Sequence, residues 1–193
     1  MSARARRPGV ATVTTVTAEN ERRQFVFPPV SGSFDDIDLE LLDPADEHDR
    51  SMLILAEHPE LQRAIDADLD EIHLHGTTMN PRLHLLMHEI VANQLWDDDP
   101  PEVWQTAQRL LAAGYERHEI LHMLARPVSD QVWEALHDER PYDHERHVAA
   151  LHALPGAWER ERTITTAARR HDDARKQARR AARAARQRNR RRS

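Results

Sequence analysis

Histidine is the residue of this chain best placed to do chemistry, with 13 among 193 residues. Two pairs stand four positions apart, His84 with His88 and His118 with His122. On an α-helix that spacing puts both imidazoles on one face. Two such pairs on packed helices offer four nitrogens to one ion at ~2.0–2.1 Å, a set suited to zinc, iron or manganese. The plainer alternative is a histidine-rich chain whose imidazoles are ordinary, hydrogen-bonded core or boundary residues. Composition alone yields roughly 0.9 such pairs against the two present, so spacing by itself decides little.

The second pair belongs to His118-Glu119-Ile120-Leu121-His122, an H-E-x-x-H pattern. In that pattern two histidines bind zinc and the glutamate activates the bound water as general base. Glu119 is therefore the candidate catalytic residue if the chain is a zinc hydrolase. The longer form of the pattern needs a glycine and a third histidine downstream, and Ala125 and Val128 stand there instead. Glu119 also lies about 100° round the helix from His118, off the apolar stripe. Other histidines carry less. His73 and His75 read as exposed loop residues that can approach a site, and His144 and His147 as surface. Trp96, Trp104, Trp133 and Trp158 sit among aliphatics and read as core or half-core. There is no glycine-rich phosphate loop and no Ser or Thr in a nucleophile motif. The absence of cysteine excludes disulfides, thiolate zinc sites, iron–sulfur clusters and cysteine nucleophiles.

Bringing four histidines together requires helices, and the middle of the chain supplies them. Asn80-Pro81 is a helix start, an N-cap followed by proline at the first helical position, and the helix runs to about Trp96. With His84 at 0°, His88 falls at about 40°, Val91 at about 340° and Leu95 at about 20°, all on one apolar stripe. Measured from His118, His122, Ala125 and Val132 lie within about 40° on either side. Pro100-Pro101 opens the helix between these two, with Gly114 as its stop. Tyr115 begins the His118 helix, which Pro127 should kink, or split at Arg126. Asp143 caps a short helix before Pro155. Upstream, residues 44–58 and 59–71 read as two more, broken at His58-Pro59. Apart from a weak strand at 71–75, no alternation appears. Five glycines and 5% aromatics disfavour sandwiches and barrels. The expected fold is all-α, a bundle of about five to six helices with short connections.

Charge divides the chain. Residues 1–23 carry five Arg against two Glu, residues 24–158 eight Arg against 27 acids, and residues 159–193 thirteen Arg and one Lys against four acids. These regions predict a disordered tail over 1–35, a helical domain over 36–158 and an Arg/Ala-rich basic tail over 159–193. Within 1–35, the stretch 24–33 can clip onto the domain. Residues 160–193 are the candidate for weak, sequence-independent contact with nucleic acid. No run of 18 apolar residues exists, so no membrane partner is expected. With no secretory h-region and no cysteine, the expected compartment is the cytoplasm.

The segments around the histidines carry a resemblance. Asn80, Pro81, Leu83, His84, His88 and Gln94 match an Asn-Pro-x-Leu-His-x-x-x-His-x-x-x-x-x-Gln core, and Ala56 to Glu60 fit the same pattern. Over roughly residues 50–140 the chain resembles an uncharacterised bacterial family catalogued as a domain of unknown function. The resemblance implies a small helical protein and brings no activity or ligand with it.

Overall fold

The computed structural model describes residues 10–74, 77–164, 166 and 175–177. The chain divides into two compact units, Met1–His152 and Ala153–Ser193. Among the described residues the first holds seven α-helices: α1 Val10–Val26, α2 Glu47–Ala56, α3 Pro59–Asp66, α4 Pro81–Asp97, α5 Pro101–Ala112, α6 Arg117–Asp138 and α7 His144–His152. Two antiparallel hairpins, β1 Ser33–Phe34 with β2 Ile37–Asp38 and β3 Ile72–Leu74 with β4 Thr77–Met79, are its strands. The architecture is an all-α bundle, as the periodicity predicts.

The elements around the histidines begin where local chemistry places them. The Asn80 side chain accepts from the Leu83 amide at 2.9 Å, and Pro81 follows at the first turn of α4. Asp46 caps α2 by accepting from the His48 and Asp49 amides. After α5, Gly114 takes φ +89°, a left-handed conformation that glycine adopts without a Cβ penalty. α4 is the central helix, packing on α1, α2, α3, α5 and α6. Val91 and Leu95 on α4, Val103 and Leu110 on α5, and Ile120 and Met123 on α6 are fully buried. Burying each such side chain contributes about 1.5–3 kcal/mol, and this core fixes α4 against α6.

Several sequence expectations change. The tail expected over residues 1–35 contains α1, and the end of α1 is docked. Arg22, 7% exposed, donates from its guanidinium to the carbonyls of Leu95 at 2.6 Å and Trp96 at 2.9 Å. It thereby satisfies two carbonyls that the last turn of α4 leaves without helical partners. Phe25 and Val26 are buried, and the Phe25 ring lies 5.5 Å from that of Trp104. Pro127 does not split α6, which runs through it. Proline's φ is helical and it removes one N–H, a cost outweighed here by burial of Pro127, Val128 and Leu124. The weak strand at 71–75 is real at residues 72–74, where it pairs with β4. Trp133 is 56% exposed, not core, and His147 is 1% exposed, not surface. In the second unit, residues 156–164 are helical and run across the boundary expected after Trp158. His75 and most of the basic tail lie outside the described residues. None of the described helices is long and apolar enough to cross a membrane.

Candidate metal centre

His84 and His88 on α4 and His118 and His122 on α6 face one another across the core. The ring centroids of His84 and His122 are 5.2 Å apart, those of His88 and His122 5.0 Å, and those of His88 and His118 5.4 Å. Within each helix the pairs lie 4.8 and 4.5 Å apart. The wheel placed these four on apolar stripes, and the packing of α4 on α6 joins the stripes.

A fifth imidazole completes the cluster, and the sequence reading missed it. His58 occupies the junction of α2 and α3, at the N-cap position just before Pro59, and makes no side-chain cap. Its Nδ1 instead lies 2.8 Å from the carbonyl of Ile54, the last turn of α2. A carbonyl only accepts, so Nδ1 carries the proton and Nε2 presents a lone pair. Among the described residues that buried Nε2 has no hydrogen-bond partner. The ring is 4.5 Å from His88, 5.1 Å from His118 and 5.3 Å from His84. A lone histidine has no spacing partner to mark it. The signal available was its place one residue before a helix-opening proline and four after Ile54.

The nitrogens converge. One from each of His58, His88, His118 and His122 lies within 4.8 Å of the others, and Nε2 of His84 is 3.2 Å from Nε2 of His88. Among the described residues, His122 Nε2, like His58 Nε2, is buried without a partner. Leaving such an atom unpaired costs about 1–3 kcal/mol. Burial of the cluster increases from His118, which is exposed, through half-buried His84 and His122 to buried His88 and His58.

The electrostatics favour neutral rings. Burial is the first cause, and the neighbouring imidazoles add to it, since each opposes a second positive charge. His84 is held down to about 4 and His122 to about 3, and His88 and His118 are also lowered. Neutral imidazoles are the form that binds metal. The carboxylates whose charge opposes this lowering are Glu57, beside His118, and Glu60, beside His84 and His118. Both flank His58 in sequence. Glu119 is half-buried on α6. His73 is exposed, with Nδ1 3.4 Å from the Thr78 hydroxyl, and stays apart from the cluster. His144 is exposed on α7.

Outside the ring cluster, Arg117 ties its surroundings together. Its guanidinium donates to Glu57 at 3.0 Å and to the carbonyls of Phe25 and Val26 at the end of α1.

A family model described as a domain of unknown function, DUF1841, matches residues 37–153. That interval contains all five histidines of the cluster. No curated protein and no solved structure matches the chain.

Proposed function

The chain belongs to the DUF1841 family of domains of unknown function, and from its converging imidazoles we propose that it binds one transition-metal ion, zinc, iron or manganese, through His84, His88, His118 and His122 together with His58. The observation that carries this is the state of His58. Its Nδ1 proton is committed to the Ile54 carbonyl, its Nε2 has no hydrogen-bond partner among the described residues, and its ring supplies a nitrogen within 4.8 Å of those of His88, His118 and His122. A hydrogen bond from the far ring nitrogen to a backbone carbonyl is how metal-bound histidines are commonly oriented. The test is elemental analysis of the full chain purified without a histidine tag, followed by titration with the metal found. One ion per chain, bound more weakly in His58→Ala and lost in the double variant His58→Ala with His88→Ala, supports this function. A metal-free protein that takes up none on titration overturns it.

The basic residues 159–193 support a second, separate reading: weak nucleic-acid contact, through thirteen Arg and one Lys against four acids. Its test is binding to DNA at about 50 mM salt, where counterion release favours it most. Loss of that binding on deletion of residues 165–193 supports it. An intact chain that ignores DNA at that salt overturns it.

A further inference from the structure

Nitrogens of His58, His88, His118 and His122 all lie within 4.8 Å of one another, and His84 joins them through His88, 3.2 Å away between Nε2 atoms. His88 lies against each of the other four, at centroid distances of 4.5 Å to His58, 4.8 Å to His84, 5.4 Å to His118 and 5.0 Å to His122. The other four form a closed ring. Going round it, His58 to His84 is 5.3 Å, His84 to His122 is 5.2 Å, His122 to His118 is 4.5 Å and His118 to His58 is 5.1 Å. Across the ring, His58 faces His122 and His84 faces His118, and neither pair makes a ring contact among the described residues. With nitrogens ~2.1 Å from an ion, rings at right angles have centroids about 4.6 Å apart, rings at tetrahedral angles about 5.3 Å and opposed rings about 6.5 Å; the neighbour distances span the first two values, and the two missing cross-ring contacts separate the arrangements. A tetrahedral set would bring every pair equally close. The observed pattern is four basal rings and one apex.

Burial differs round the site: His58, 3% exposed, and His88, 5% exposed, lie deepest, and the basal ring passes from His58 through half-buried His84 and His122 to exposed His118. The base thus meets solvent at its His118 edge.

We propose that the five imidazoles hold their ion in a square pyramid with His88 at the apex, leaving a sixth position, opposite His88, for an exchangeable water or small anion. This rests on the metal-binding function proposed above and narrows it. Zinc in structural protein sites is almost always four-coordinate, and in catalytic sites it keeps three protein ligands. Five neutral imidazoles and one open place suit an ion that accepts octahedral coordination by nitrogen, iron(II) foremost among those named. A site of this kind is not a closed structural one, because it keeps a position for an outside ligand.

Cobalt(II) reports coordination number directly, since four-coordinate tetrahedral cobalt absorbs far more strongly in the visible than five- or six-coordinate cobalt. The untagged full chain is loaded with cobalt(II) alone and then titrated with azide. The expected result is weak visible bands that shift on azide addition. In His84→Ala, checked for unchanged helical circular dichroism, the bands intensify as the set falls to four imidazoles. Intense bands in the natural chain, or bands indifferent to azide, overturn the open pyramid while leaving metal binding intact. Failure to bind cobalt or any other ion overturns metal binding itself, and the pyramid with it.

Discussion

Arg117 and Glu57 meet at 3.0 Å, and each is the chain neighbour of a histidine in the cluster, His118 and His58. The same guanidinium holds the last carbonyls of α1. One side chain thus links the terminal turn of α1, the α2–α3 junction and the start of α6. Arg117→Met should release all three. A buried charged hydrogen bond contributes about 1.5–3 kcal/mol, but these three share one guanidinium that is 25% exposed, so a net loss of about 2 kcal/mol is expected, which would lower the melting temperature by roughly 4–8 °C. Loss of support around the ligands should weaken metal affinity about tenfold. Glu57→Gln removes only the exposed pair and should change stability by less than ~1 kcal/mol. Thermal melts and metal titrations of both variants check this, and equal losses in the two would mean the α1 contacts contribute little.

Acid should weaken the metal-free fold in a defined window. Burial holds His122 near 3 and His84 near 4, against 6.5 for a free imidazole. Between pH 6.5 and about 4 the unfolded chain binds protons that the folded cluster refuses, so stability falls as pH falls. Above pH 6.5 both states are neutral at these rings and the effect vanishes. Allowing for partial exposure, His122 alone should account for about 1–2 kcal/mol between pH 7 and pH 5. Urea midpoints of the metal-stripped chain at those two values measure it. Stability that is flat over the interval would mean that the rings are solvated.

Histidines kept for a ligand should be poor choices for the fold alone. Without metal, His88 and His122 are crowded by other imidazoles, and the buried Nε2 of His122 has no partner. Replacing either by leucine removes polar atoms at similar volume. The metal-free His122→Leu chain should melt a few degrees higher, consistent with about 1 kcal/mol gained. Metal affinity should fall at the same time, and calorimetry with and without metal separates the two effects. A drop in the metal-free melting temperature would show that His122 stabilises the fold by packing.

Glu60 is the carboxylate that acts on both His84 and His118, which stand across the basal ring from each other. Its negative charge should favour water over an anion at the open position. In Glu60→Gln, azide should bind the cobalt-loaded chain several-fold more tightly, with cobalt affinity changed much less. Unchanged azide affinity would place the carboxylate away from that position.

What the sequence made legible were local and periodic features. Asn80-Pro81 marked the start of α4, Gly114 the end of α5, and the helical wheel put four histidines on two apolar stripes that do pack together. What stayed hidden depended on distant contacts. His58 has no partner at helical spacing, and only the fold carries it to His88. α1 lacks a readable apolar stripe, and it is moored instead by Arg22 and Arg117, whose acceptors lie far along the chain. Pro127 signals a break locally, but the core on both sides of it keeps α6 continuous. His147 looked like one more polar residue of a short helix, yet α7 turns it inward beside Tyr142.

The family interval opens at residue 37, whereas the carbonyls that Arg117 grips belong to Phe25 and Val26. A fragment trimmed to that interval retains every histidine of the cluster, yet its Arg117 hangs from Glu57 alone and the Phe25 side of Trp104 faces water. Such a truncation separates possession of the ligands from possession of their brace. If α1 is only an appendage, the fragment should fill with metal as readily as the whole chain. If α1 is part of the scaffold, the fragment should fill more slowly and release the ion sooner.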